Sequence, residues 1–337
     1  MNWTVLASFV LTGLLLCGSF VEAASDSSEK AQLFRVFEQR IKNVESSGQM
    51  PIIDVEFHCG KKIDLKALTV KMDANHVALT WLGPTEGLGD EYSVQANQRF
   101  PEYFVPTIIH GDGPRWHGKD PGLLDVLADD AHTGRYFAMG EFEARHYVSD
   151  TNNRNVHLPL TNPSFHRIFQ LSQETGLPFL IHHEAEDAML PEMESMLQQY
   201  PQAKVVWCHV GRNRNYTIWS RWMGTKTVRD FLEKYPNLYF DLVQSPPNSS
   251  PFGYRQCIMY DVNGATVTLN HEWKKLFMDF PDRFVIGSDV NGGRWEQYDD
   301  VFGRLRTVVL QALPREVAEK IAYKNAWNLM SAEKWQP

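Results

Sequence analysis

The sequence predicts a single (β/α)8 barrel of the α/β class, a TIM barrel with an extra N-terminal helix. Three observations predict it. Short apolar runs of strand length alternate with helix-period segments eight times, which implies parallel strands joined by right-handed crossovers. The first run is followed by "HCGKKID" and not by the glycine-rich turn that an open doubly wound sheet typically carries there. Carboxylates and imidazoles gather at the C-terminal ends of the runs, the rim on which such barrels build their sites.

The elements follow in order. Residues 1–24 hold the uncharged apolar stretch "VLASFVLTGLLLCGSF" and then small residues at Ala23 and Ala24. This reads as a secretory signal peptide, so the protein is expected to be secreted or periplasmic. "MNWTV" lacks the usual Lys or Arg, which leaves an uncleaved anchor as the alternative. Bulky Leu16 ahead of Cys17 speaks against a lipoprotein. Residues 25–50 carry a helix, with Leu33, Phe37, Ile41 and Val44 at three- and four-residue steps and Gly48 behind them. Residues 51–337 form the barrel domain. Its strands read "PIIDVEFH", "HVALTWL", "YFVPTIIH", "YFAMGEFEA", "PFLIHHE", "KVVWCHV", "NLYFDLV" and "RFVIGSDV". Helical segments separate them, weakest between Gly87 and Phe100, and two helices close the chain, the last opened by Pro314.

The composition is ordinary for a globular chain of 337 residues, 43% hydrophobic and 22% charged. A net charge of -8 argues against nucleic acid or an anionic membrane as the main partner. Past the leader only Cys59, Cys208 and Cys257 remain, too few for a disulfide framework. Strand alternation sends Cys59 and His58, or Cys208 and His209, to opposite faces. Buried free thiols are therefore expected at both positions.

Asp54, Glu56 and His58 leave one face of the first strand. Burying that trio without compensation is costly. His110 ends strand three, Glu141 and Glu143 lie in strand four, His182 and His183 end strand five, His209 ends strand six and Asp289 ends strand eight. Such a ring suits a catalytic divalent metal with an open coordination position, zinc first and manganese, iron or cobalt as alternatives. Glu56 and His58 grip one ion from one side, while His182 and Asp289 approach from across the barrel. The ion activates water, and Asp289 takes its proton.

These residues carry a family resemblance. "DVEFH", "LPFLIHH", "VVWCHVG" and "VIGSDV", with the closing "IAYKNAWNLM", resemble the amidohydrolase superfamily from Pro51 to Met330. More narrowly, the chain resembles the amidohydrolase-related branch that holds both hydrolases and non-oxidative decarboxylases. The resemblance implies Glu56, His58, His182 and Asp289 as metal ligands, with His209 a ligand or the acid/base that polarises substrate. The usual first motif there is His-x-His; Glu56-Phe57-His58 resembles the variant of the aromatic-acid decarboxylases. "MGEFEAR" resembles the fourth strand of two-metal, TatD-like nucleases and lactonases, which makes Glu141 the candidate bridge to a second ion. One ion remains the expectation. His182, directly after the apolar run, takes the ligand slot in preference to His183. Asp54 lies deeper and orients its neighbours.

Arg115, Arg212, Arg214 and Arg294 in the rim loops suit an anionic substrate group, with solvated loop charge as the plain alternative. Trp116, Trp219, Trp222 and Trp295 line a pocket or pack loops. The long stretch from Ser245 to Asn270 is a candidate lid. The expected activity is an exported metal-dependent hydrolase cleaving a C–N or C–O bond of a small amide, lactone or ester. The alternatives are a decarboxylase of an aromatic or unsaturated acid and a catalytically inactive binding barrel. No nucleic acid and no stable membrane partner is expected after signal cleavage, and a homodimer is the candidate assembly.

Overall fold

The computed structural model describes residues 29–109, 122–146, 155–184, 189–211, 223–243 and 258–336. The eight apolar runs become strands β1 (Ile52–Cys59), β2 (Val77–Pro84), β3 (Phe104–Ile108), β4 (Ala138–His146), β5 (Phe179–His183), β6 (Val205–Trp207), β7 (Leu238–Val243) and β8 (Phe284–Gly287). Each pairs in parallel with its sequence neighbours, and β8 pairs with β1. The sheet therefore closes on itself, which removes both edges.

Helices follow the strands, and local chemistry explains where they start and stop. Helix α1 covers residues 29–46. Next come α2 (Leu65–Ala74), α3 (Glu91–Arg99), α4 (Gly122–His132), α5 (Pro163–Thr175), α6 (Leu190–Gln199), α7 (Thr225–Lys234) and α8 (His271–Asp279). Asp64 caps α2 by accepting from the backbone N–H groups of Lys66 and Ala67, and Asn270 caps α8 in the same way. Asn162 caps α5, Pro163 opens it, and Gly176 ends it with a left-handed φ of 73°. After β8 the chain runs through α9 (Tyr298–Arg304) and, past Pro314, α10 (Arg315–Glu319), whose course continues to Ser331 through a π turn. The weakly patterned segment between Gly87 and Phe100 does form a helix, α3.

Helix α1 packs at the N-terminal end of the barrel. Phe34 and Phe37 meet Phe137 edge-on with ring centroids 5.1 and 5.4 Å apart, just ahead of β4, and Lys30 donates to the Tyr136 carbonyl at 2.9 Å. That leaves the opposite rim for chemistry. On β1 the pleat sends Phe57 outwards onto Tyr298 of α9, at 6.2 Å, and Glu56 inwards.

Two features carry no periodic signal in the sequence. Val156–His157 pairs antiparallel with the end of β4. In the long stretch after β7, Tyr260–Asn263 and Thr266–Leu269 form a hairpin whose two-residue turn starts at Gly264, φ 61°. Residues 245–257 of the lid segment lie outside the described residues, as do the leader, His110, Arg115, Trp116, Arg212, Arg214, Trp219 and Trp222. No helix among the described residues is long and apolar enough to cross a membrane.

Candidate metal centre

Six side chains from five strand ends converge inside the C-terminal rim: Glu56, His58, Glu141, His182, His209 and Asp289. Glu141 stands at the middle. Its Oε1 lies 2.6 Å from His182 Nδ1 and 3.0 Å from His209 Nε2, and those two ring nitrogens are 2.9 Å apart. Its Oε2 lies 3.3 Å from His58 Nε2. His58 Nε2 in turn stands 3.7 Å from Glu56 Oε1 and 3.6 Å from Asp289 Oδ1. The donors thus form two groups on either side of one carboxylate.

The groups differ in spacing. Ligand atoms about 2.0–2.1 Å from a tetrahedral zinc lie roughly 3.3–3.5 Å from one another. The separations of 3.3, 3.6 and 3.7 Å around His58 suit donors sharing a cation more than donors sharing a proton. Around His182 and His209 the separations of 2.6–3.0 Å are hydrogen-bond lengths.

Several backbone devices hold these side chains. Between Met139 and Phe142 the β4–β5 register shifts, and Gly140, φ 89°, brings its backbone so close to β5 that a Cβ would lie 2.4 Å from the Leu180 carbonyl oxygen. This bulge delivers Glu141 to the rim. His209 and Asp289, one just past each strand end, adopt left-handed φ values of 64° and 49°. Asp54, fully buried, ties β1 to β8 below the site. Its Oδ1 accepts from Ser288 N at 2.8 Å and Glu56 N at 3.1 Å, and its Oδ2 accepts from the Ser288 hydroxyl at 2.7 Å. The Glu56 carbonyl then receives the Asp289 N–H at 2.9 Å. His183 takes the other course and packs edge-on against Trp207 at 5.6 Å, towards the helical layer.

Electrostatics follow from this crowding. Burial pushes the Glu56 carboxyl well above its usual range, and Asp241, Glu141 and Asp289 push it further. Burial would raise Glu141 too, but His182, His209 and His58 hold it well below the carboxylate range. Asp289 is also held low against burial, first by Arg294 and then by His209 and His58. Burial and the adjacent His182 bring the His209 imidazole down to about 4, so at neutral pH it is a neutral donor.

A family profile described as Amidohydrolase matches residues 134–329, more than half of the chain. The protein belongs to the amidohydrolase family. No curated protein matches its sequence. Among solved structures, an amidohydrolase from Burkholderia multivorans with bound zinc is 12% identical, with 83% of this chain and 99% of that one covered at a TM-score of 0.51. The 5-carboxyvanillate decarboxylase of Sphingomonas paucimobilis is 13% identical over 84% of this chain and 99% of its own, TM-score 0.50. L-hydantoinase from Arthrobacter aurescens is 12% identical over 83% and 70%, TM-score 0.51. At such identities the likeness establishes the barrel.

Within this amidohydrolase, the remaining rim residues divide. The Arg294 guanidinium reaches Asp289 Oδ1 at 2.5 Å. Trp295 lies against Tyr298, with the Lys71 ammonium 5.3 Å over its ring. Sequence reasoning missed Asp241, a fully buried carboxylate on β7. Its Oδ1 accepts the His209 backbone N–H at 2.5 Å, and burial raises its carboxyl to about 7. The signal for it was present in "NLYFDLV": a lone charge inside an otherwise apolar run needs a partner. Cys59 and Cys208 are buried free thiols, as expected, and the Cys208 sulfur lies in one donor group with Glu56 and Asp241. His209 falls in the other donor group, with Glu141 and His182.

Proposed function

We propose that this amidohydrolase is a divalent-metal-dependent hydrolase that cleaves a C–N or C–O bond of a small amide, lactone or ester. The observation that carries the reading is Glu56. Its side chain is 1% exposed, and the group it shares a hydrogen bond with is another buried carboxyl, Asp241. The His58 and His209 nitrogens both stand 3.7 Å from its Oε1. Two buried carboxyls so paired need a shared proton or a cation, so the donor set fits a metal.

Glu56, His58 and Glu141 Oε2 would hold one ion, with Asp289 Oδ1 beside them, 3.6 Å from His58 Nε2. Glu141 Oε1, His182 and His209 form the second donor group, so Glu141 would bridge if a second ion binds. This regroups His182, which the sequence placed with Glu56 and Asp289. A bound ion of this kind lowers the pKa of water to about 7 and supplies hydroxide at neutral pH. Asp289, held ionised by Arg294, is the proton acceptor at the rim. His209, neutral at pH 7, would serve as a ligand through Nε2 or polarise a substrate oxygen through the nitrogen that keeps its proton. Zinc is the first candidate for the ion and export the candidate location, the latter resting on the leader sequence.

A decarboxylase is the second reading, favoured by Glu56 standing where related hydrolases carry histidine. Elemental analysis of protein purified without chelator, beside the Glu56→Ala/His58→Ala double variant, tests the metal. One or two equivalents of a transition metal lost in the variant support it; wild type unable to take up zinc or manganese overturns it. Turnover of activated esters or lactones then marks the hydrolase, and release of carbon dioxide from a hydroxybenzoate-like acid marks the lyase.

A further inference from the structure

The two ring nitrogens of His182 face different carboxylates. Nδ1 points to Glu141 and His209, as above, while Nε2 lies 3.1 Å from Glu184 Oε1. A neutral imidazole offers a lone pair only at the nitrogen without a proton, and the hydrogen bond at one nitrogen decides what the other can do. We propose that Glu184 is a positioning residue that keeps the proton of His182 on Nε2, so that Nδ1 is the nitrogen presented to the cation. The inference rests on the metal reading above and adds to it the residue that selects the donor atom.

The local structure is built for this role. Glu184 follows the last residue of β5, and its carboxylate reaches back to the face that His182 leaves. The Glu184 N–H donates to the Arg145 carbonyl at 3.0 Å, which anchors its backbone beside β4. The His146 ring lies against His182 with centroids 4.7 Å apart and planes at 38°, and the His209 ring meets it edge-on at 4.5 Å. The imidazole is thus held in a slot between two rings. A solvated rim carboxylate is the competing account, but the Glu184 side chain is only 12% exposed. Carboxylates that receive the far N–H of a ligating histidine typically contribute 10–100-fold to metal affinity.

The test uses zinc alone as the probe, with the full-length wild type, Glu184→Ala and Glu184→Gln. Zinc affinity is read by chelator competition, and the His182 ring nitrogens by 15N NMR of the zinc-loaded wild type. The expected result is a loss of about 10–100-fold in Glu184→Ala, recovery of most of it in Glu184→Gln, whose amide oxygen still accepts, and a proton on Nε2 with zinc on Nδ1. Equal affinity in all three proteins, a Gln variant as weak as Ala, or a proton on Nδ1 overturns the role. If Glu184→Ala does not fold, Glu184→Leu takes its place in the same comparison with wild type and Glu184→Gln. Wild type that binds no zinc overturns the metal reading itself, an outcome separate from metal uptake indifferent to Glu184.

Discussion

Asp241 Oδ1 receives the backbone N–H of His209 at 2.5 Å, and this bond fixes a site histidine through its main chain. His209 has a left-handed φ of 64°, a conformation that costs a non-glycine residue free energy unless its surroundings impose it. Removing the acceptor in Asp241→Ala leaves a buried N–H unsatisfied, at about 1–3 kcal/mol. Asp241→Asn keeps an oxygen for that N–H and removes a carboxyl that crowds Glu56. We expect the Ala variant to unfold at lower temperature and to lose zinc affinity, with the Asn variant close to wild type in thermal stability. Thermal melts of the chelator-treated proteins check this. An Ala variant as stable as Asn would show that the bond to His209 is dispensable.

Gly287, the last residue of β8, makes room for the same pair of carboxylates. A Cβ there would lie 2.9 Å from both Asp241 Oδ2 and Glu56 Oε2 and 3.0 Å from Glu56 Cβ. The carboxylate ends can swing, but Glu56 Cβ is fixed by β1, so Glu56 must tilt out of position. Gly287→Ala is expected to fold, melt somewhat lower and bind zinc at least ~10-fold more weakly, since a displaced ligand loses its contribution. Titration of the purified variant with zinc checks it. Wild-type affinity would mean that Glu56 is not a ligand.

The strands and most of the rim were legible because their signals are local. Apolar runs bounded by turns and charged residues at their ends survive any tertiary context, and Glu56, His58, His182, His209 and Asp289 were found that way. The grouping of the donors was not legible. Glu141 reaches the centre through a bulge at Gly140, and no periodicity announces a register shift. The engagement of Arg294 with Asp289 depends on the path of the loop after β8, which its sequence does not reveal. Asp241 was not legible because its role, accepting the His209 backbone N–H, depends on a contact between strands that no local pattern encodes. The choice between Nδ1 and Nε2 of His182 is set by Glu184 and Glu141 across space, beyond what spacing encodes.

Ser288 offers a way to test the Asp54 clamp without touching a proposed ligand. Its hydroxyl donates to Asp54 Oδ2 at 2.7 Å and lies 3.0 Å from the Glu56 carbonyl. Ser288→Ala deletes the donor and leaves a buried carboxylate oxygen short of a partner, a loss of about 1–3 kcal/mol. The Ser288 N–H bond to Asp54 at 2.8 Å remains, so the barrel should stay closed. The expected outcome is a lower melting temperature with zinc stoichiometry unchanged. A variant that loses zinc as well would show that the clamp sets the ligand geometry and not merely the joint between β1 and β8.

The metal-free protein should lose stability as pH rises from 6.5 to 8. Burial raises the Asp54 and Asp241 carboxyls from 3.8 to about 7, and it raises Glu56 well above 4.5. His58 also rises above 6.5: burial opposes the shift, but Glu141 and Asp289 outweigh it. Each of these groups binds its proton more tightly folded than unfolded. Its contribution is therefore present below the unfolded value and lost as pH passes through the folded one. His209, lowered from 6.5 to about 4, acts with the opposite sign, but only about 0.4 kcal/mol of its contribution falls above pH 6.5, less than the carboxyls lose. Glu141 and Asp289, held low, are likewise ionised throughout this window. The net slope is downward, about 1–2 kcal/mol for the two aspartates over the interval, which is a fall of a few degrees in melting temperature. A cation competes with the same protons, so zinc should raise the melting temperature more at pH 8 than at pH 6.5. Melts with chelator and with zinc at both pH values measure the two slopes. A chelated protein whose melting temperature rises between them would mean that the carboxyl cluster around Glu56 is ionised without a metal.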